Sequence, residues 1–307
     1  MQRIVFKANS TISATNLFLL FSFFSILLIA TGCKKDEVTN QTSSTSFSQV
    51  NLVASSSQYS GARVDANLIN GWGIALSPTG TVWISAEGSG KSLVYNSDGV
   101  EILPAVSIPT GGHPTGIIFN STSDFVIPGS TAAKFIFAGT TGIISGWSTG
   151  TSAVQLVDKS STSVYTGLAI AADGGPNFLY AANFKQSKID VFDLNFNEVS
   201  KTFTDATLPS GYAPFNVQNI GGQLYVTYAK VGSDGEEEKG AGLGYVDIYN
   251  PDGSFVKRLA SQGELNAPWG VAQAPAGYFS GSSSSSILIG NFGDGKINAY
   301  NTNGDFM

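Results

Sequence analysis

The chain has 307 residues, of which 36 are glycine, one is cysteine, one is histidine and only 12% are charged. Sixteen basic against twenty-two acidic side chains leave a net charge of −6. With no basic cluster in the body of the sequence there is little to neutralise a phosphate backbone, which argues against a nucleic-acid partner. A lone cysteine rules out an internal disulfide, and a chain of this length buries roughly 75% of its unfolded surface without needing one.

At the N-terminus Arg3 and Lys7 precede an apolar run from Leu17 to Ala30. A positive segment followed by a short apolar one is the secretory pattern, and the run is shorter than a membrane span requires. It ends in Ala30-Thr31-Gly32-Cys33, which resembles a bacterial lipobox, although Ala30 stands where Leu is usual. Residues 1–32 are therefore expected to be a lipoprotein signal peptide. Cys33 is expected to carry lipid chains that hold the protein on a membrane through buried methylenes, about 0.8 kcal/mol each. Lys34-Lys35-Asp36-Glu37 resembles a surface-export signal of bacterial lipoproteins and reads equally well as the solvated start of a tether. The polar run through Ser48 makes residues 33–48 a flexible spacer. The expected location is the cell envelope, lipid-anchored at the outer membrane and exposed at the surface.

From residue 49 onward the chain repeats itself. Val50-Asn51-Leu52-Val53 reads as a lone strand, and then Asn70-Gly71-Trp72-Gly73-Ile74-Ala75 opens the first of five units. The others open at His113-Pro114-Thr115-Gly116, Tyr165-Thr166-Gly167, Ala213-Pro214-Phe215-Asn216 and Ala267-Pro268-Trp269-Gly270. The pivots Gly73, Gly116, Gly167, Asn216 and Gly270 recur at intervals of 43 to 54 residues. Each unit holds three or four short strands rich in β-branched and aromatic residues, joined by turns such as Ser97-Asp98-Gly99. This is the pattern of β-propeller blades. The fold class is all-β, a propeller of four-stranded blades spanning residues 49–307. Innermost strands crowd the axis, which explains a pivot lacking a side chain, and Trp72 and Trp269 are expected to wedge between neighbouring blades. The sequence stops at Gly304-Asp305-Phe306-Met307, where the fifth unit would be finishing its outer strand. A six-bladed ring with its last blade missing is the expectation.

Several long motifs, among them Gly142-Ile143-Ile144-Ser145-Gly146-Trp147, Leu179-Tyr180-Ala181-Ala182-Asn183-Phe184 and Gly290-Asn291-Phe292-Gly293-Asp294-Gly295, occur in the order found in a family of uncharacterised secreted bacterial β-propellers, which the chain resembles over residues 49–307. That resemblance implies fold, export and a further blade. It brings no activity, so no catalytic residue is carried over from it.

Candidate chemistry is sparse. Gly88-Ser89-Gly90-Lys91-Ser92 is like the end of a phosphate loop but leads into a strand, not a helix. Gly146-Trp147-Ser148-Thr149-Gly150 fits a nucleophile elbow, yet a hydrolase there would need His113, the only histidine, to reach Ser148. Glu87, Thr140, Asn183, Tyr228 and Asn291 each follow the second strand of their unit, so propeller symmetry should set them at equivalent levels. Glu87, Asn183 and Asn291 are the candidate oxygen ligands for Ca²⁺ or another divalent cation, against the plainer reading that such residues make turns. His113, Thr140 and Tyr228 are the candidates for binding at the channel mouth. The dense charge run Asp234-Gly235-Glu236-Glu237-Glu238-Lys239 reads as an exposed loop inserted in the fourth unit. The function expected is that of a binding module for a protein, glycan or small molecule. A metal-dependent, lactonase-like hydrolase with its site in the channel is the alternative.

Overall fold

The computed structural model of the chain describes residues 2–5, 47–279 and 282–307. Five antiparallel sheets follow one another along the sequence, each running from an inner strand outward, so that chain order is also the order of hydrogen bonding. Blade 1 comprises Gly71–Leu76, Val82–Ala86, Lys91–Tyr95 and Glu101–Ser107, and blade 2 comprises Pro114–Phe119, Phe135–Gly139, Ile143–Trp147 and Val154–Asp158. Blade 3 holds Tyr165–Ala172, Asn177–Asn183, Lys188–Phe192 and Glu198–Val199. In blade 4 the strands Tyr212–Ile220, Gln223–Val231, Gly244–Tyr249 and Phe255–Ser261 are joined by a short fifth, Glu237–Glu238, paired to the end of Gln223–Val231. Blade 5 has three full strands, Pro268–Ala274, Ser286–Asn291 and Ile297–Asn301. Beyond them Phe306 bridges Tyr300 and the Met307 N–H reaches the Ala299 carbonyl at 2.9 Å, the beginning of a fourth strand. The all-β propeller expected from the repeats is thus the fold, with five blades.

Ahead of the blades, Ser48–Asn51 pairs with Gln2–Val5, and Val53–Ala54 runs parallel to Arg63–Val64. The single strand expected over residues 50–53 is therefore two strands broken at Leu52. The apolar N-terminal run and Cys33 lie outside the described residues. Among the described residues no helix is long and apolar enough to cross a membrane.

Blades cohere through their faces. Between blades 1 and 2, Trp83 stacks on Phe135 at 4.0 Å between centroids and meets Trp147 at 4.6 Å. Between blades 3 and 4, Tyr180 and Val191 pack with Val226 and Tyr249. The pivots let the inner strands approach each other. A methyl group on Gly116 would lie 2.6 Å from the Leu168 nitrogen of blade 3, and one on Gly73 would lie 2.4 Å from the Thr115 carbonyl of blade 2.

Each inner strand also slips register at its pivot: between Gly71 and Ile74, at Thr115-Gly116, and at Thr166, Phe215 and Trp269. A β-bulge re-aims a side chain out of the alternation. Here the bulge turns Trp72, Phe215 and Trp269 into one cluster with Phe184 and Phe292 at the hub. Trp72 therefore does not wedge between two neighbouring blades as expected from the sequence. Its ring lies 5.7 Å from Trp269 of blade 5, 5.9 Å from Phe215 of blade 4 and 4.7 Å from Phe292. Trp269 joins the same cluster and does not wedge as expected either, and between blades 1 and 2 the wedging rings are Trp83 and Trp147.

Candidate functional site

The hub cluster sits at the level where inner strands begin and second strands end. The residue that leads into the inner strand has left-handed backbone in four blades: Asn70 at φ 50°, His113 at 44°, Gly211 at 83° and Ala267 at 44°. His113 is the last of four consecutive left-handed residues, after Thr110, Gly111 and Gly112. Such backbone is strained for a residue with a side chain. At Gly112 it also answers a close approach, since a methyl group there would lie 2.6 Å from the Gly90 Cα.

Glu87 begins a single 3₁₀ turn, Glu87–Ser89, straight after the second strand of blade 1. Its Oε2 accepts from the Asn70 side-chain amide at 2.9 Å, and its Oε1 lies 2.5 Å from His113 Nδ1. The histidine side chain is about half exposed, at 48%. Thr140 joins this group through its backbone N–H, which donates to the His113 carbonyl at 3.1 Å. Three of the residues singled out in the sequence, Glu87, His113 and Thr140, thus come together where blades 1 and 2 meet.

The others occupy the same station in their own blades but are engaged there. The Asn183 amide donates to Ser163 Oγ at 2.9 Å and to Asp190 Oδ2 at 2.8 Å, and its oxygen accepts from the Gln186 N–H at 3.2 Å. Asn291 donates to the Glu264 carbonyl at 2.8 Å and accepts from the Asn266 N–H at 3.1 Å. In both blades the amide pins the loop that enters the inner strand, the work the turn reading assigns to it. Both amides are thus committed to hydrogen bonds within their own blades. Among the described residues no group of three or more His, Cys, Asp or Glu side chains is placed to hold a metal ion.

Tyr228 lies away from any mouth. It is buried among the residues that join blades 3 and 4, with its hydroxyl 2.9 Å from that of Tyr249. Burial first, and then the neighbouring Tyr249 and Asp247, raise its pKa well above the usual tyrosine value. Beside it sits an ionic network in which Arg258 bridges Asp247 and Asp205. Burial pushes the Asp247 carboxyl up to about 6 against the pull of Arg258.

Two motifs resolve plainly. Gly88–Ser92 is a hairpin turn into the strand Lys91–Tyr95, with no helix to face a phosphate. Ser148 Oγ lies 3.4 Å from Ser130 Oγ while the His113 ring pairs with Glu87, so no serine–histidine pair forms.

What the sequence concealed is how the acidic insert is placed. The Val231–Leu243 segment does not hang free: Glu237–Glu238 extends the sheet of blade 4, and the Gly240 N–H donates to Asn266 Oδ1 at 2.8 Å. Lys239 sets its ammonium 5.1 Å from the centre of the Phe292 ring, over the hub cluster, and 3.5 Å from Glu237. The Glu236 carboxyl is raised by burial and then by the charges of Glu237, Asp234 and Glu87. Beneath the insert the Trp72 indole N–H is buried with no acceptor among the described residues, whereas Trp269 donates to the Thr166 carbonyl at 2.8 Å. The mouth is a polar rim of net negative charge over an aromatic floor.

No family model matches the chain. Two uncharacterised proteins of Acanthamoeba polyphaga mimivirus are 34% and 35% identical to it, each over 84% of this chain and over 68% and 73% of their own lengths. The chain belongs to the family of these viral proteins. The family's bacterial, lipoprotein character expected from the motifs gains no support from such relatives. Among solved structures, one of a nidogen/laminin complex aligns over 78% of this chain and 79% of its own, with a TM-score of 0.50 at 14% identity. A likeness at that identity carries the propeller fold alone.

Proposed function

We propose that the chain is an exported, lipid-anchored binding module that offers the rim of Glu87, His113, Thr140 and the Asp234–Lys239 loop to a protein or glycan ligand. The observation that carries this reading is the rim itself. Half-exposed His113 paired with Glu87 of blade 1, and Lys239 of the blade 4 insert set over the Phe292 ring, bring charged groups of two blades beside the hub cluster. Loops on a rigid scaffold are where binding function concentrates, and carboxylates beside half-buried aromatic rings suit hydroxyl-rich or basic groups. The anchor rests on this chain's own N-terminal pattern ending at Cys33.

Two experiments test the two halves. Wild-type protein and a Glu87→Gln, His113→Ala, Glu236→Gln triple variant are screened against glycans and envelope extracts. Ligands retained by the wild type and lost by the variant support the rim, and identical profiles overturn it. Cys33→Ser should shift the protein from the membrane to the soluble fraction, and unchanged fractionation removes the anchor.

A further inference from the structure

The inner strands of all five blades line one cavity. Ile74 of blade 1, Ile117 of blade 2, Leu168 of blade 3, Gln218 of blade 4 and Val271 of blade 5 form its walls, and the indoles of Trp72 and Trp269 stand at its hub end. It encloses about 360 Å³, within the roughly 300–1,000 Å³ of small-molecule sites. From the hub rings it follows the inner strands away from the rim. There it shares Ile74, Ile117 and Gln218 with a second space of about 490 Å³.

The lining sets the chemistry of an occupant. Among the described residues no charged side chain lines either space. An ion drawn from water into such walls would find no partner, at a large cost in free energy, so the occupant is neutral. Ile74 and Ile297, which also line the cavity, are 57% and 49% exposed, and a hydrocarbon body would take that area out of water.

Two residues say more. A methyl group on Gly73 or Gly116 would strike backbone of the next blade, but one on Gly270 would meet nothing within 4 Å, and Gly270 has no left-handed backbone. Neither a neighbour nor its own conformation demands glycine there, and its missing side chain leaves the cavity open. Trp72 supplies the polar group. The Trp269 indole N–H is spent on the Thr166 carbonyl and the Asn216 amide on the Trp269 carbonyl, while the Trp72 N–H is buried with no acceptor among the described residues. Leaving such a donor unmet is costly, and an acceptor brought in by a ligand would remove the cost.

We propose that the channel beyond the hub binds a neutral, mostly hydrocarbon small molecule with one oxygen acceptor. The oxygen takes the Trp72 N–H, and the hydrocarbon body lies along Gly270, Ile74 and Ile297. An apolar cavity of about 150 Å³ holds benzene, so this one admits a two-ring compound or a chain of similar bulk. The site is separate from the charged rim and its ligand is of another class.

The test titrates the purified protein with prodan, a neutral two-ring ketone whose emission moves to the blue in apolar surroundings, and with dimethylaminonaphthalene, the same rings without the ketone. Prodan should bind saturably with blue-shifted emission. Gly270→Ala and Gly270→Val fill the cavity by steps, so affinity for both compounds should fall in that order, by about tenfold or more for valine. Thermal melts check that each variant is folded. Trp72→Phe keeps a ring and removes the donor, so prodan should weaken about fivefold while dimethylaminonaphthalene is unchanged. No saturable binding, binding indifferent to Gly270→Val, or equal losses of the two compounds in Trp72→Phe overturns the proposal. So does a protein that sediments as a dimer dispersed by Ile74→Glu, for then a second copy covers these walls. The Glu87→Gln, His113→Ala, Glu236→Gln variant should bind prodan as the wild type does; a loss there would place the compound at the rim and overturn the channel site.

Discussion

Gly116→Ala is the sharpest test of how the blades hold together. The pivot carries no strained backbone angle, so the whole effect comes from one added methyl. That methyl would lie 2.6 Å from the Leu168 nitrogen, 2.8 Å from the Gly167 carbonyl carbon and 2.9 Å from Leu168 Cβ. Two of these atoms are backbone of the next blade and cannot swing away, so blades 2 and 3 must part by most of an ångström. The parting would loosen contacts of Tyr165 and Leu168, both buried in the core these blades share. Overpacking of this kind costs typically about 1–3 kcal/mol and occasionally more, and with rigid backbone as the obstacle the upper end is expected. At about 2–4 °C per kcal/mol for a domain of this size, the melting temperature should fall by roughly 6–12 °C. Gly270→Ala in the same chain is the internal control, since it adds the same methyl at the same station against nothing. Thermal melts followed by circular dichroism, with urea midpoints beside them, separate the two variants. A Gly116→Ala protein melting with the wild type, or a Gly270→Ala protein melting as low as Gly116→Ala, would refute the pivot as a contact between blades.

Trp83, almost fully buried and stacked on Phe135, should cost about 3–5 kcal/mol when replaced by alanine, read as a lowered urea midpoint at unchanged m-value. Trp269→Phe breaks the indole bond to the Thr166 carbonyl and should cost about 1 kcal/mol more than Trp72→Phe, which removes only an unpartnered donor; equal losses would contradict the assignment. Asp247 titrates near 6 when folded, against 3.8 for an ordinary aspartate, so between those values the folded chain keeps a proton that the unfolded chain has lost. Its contribution is therefore present in full below about pH 4 and fades as pH rises through about 6, and Asp247→Asn should flatten that part of the stability–pH curve; an unchanged slope would show that another group sets it.

The five units and most strand positions were legible because each blade repeats the same alternation around a pivot, and two of its faces must be buried whatever the ligand. Trp72 shows where that legibility ends. The sequence places it beside Gly73, and alternation alone would send it between blades. The register slip at Gly71–Ile74 turns it instead to the hub, and a bulge leaves no mark in the hydrophobic pattern. Tyr228 fails for a related reason: its place after the second strand gives its height along the axis but not which way its ring points. Glu87 and His113 were each visible as unusual residues, yet their pairing depends on four left-handed residues in the intervening loop, a conformation that only Gly111 and Gly112 announce.

The rim and the blade faces also differ in how the molecule stabilises them, and that difference bears on which is free to evolve. At the stations Glu87, Thr140, Asn183 and Asn291 the loop that enters an inner strand is tied down by a carboxylate, a backbone N–H or a side-chain amide. The structural duty at that station is met by any side chain or backbone group that bonds the loop, so its outward groups can vary without loosening the blade. The faces between packed blades have no such latitude. A bulky residue at a pivot strikes backbone, and a polar one at the station of Ile117 or Leu168 would be buried without a partner, at a cost of about 1–3 kcal/mol. Blade faces are therefore held to shape and the mouth is left open to chemistry. On that ground Glu87, His113 and Glu236 are the residues where substitution should change what the protein binds before it changes whether the protein folds.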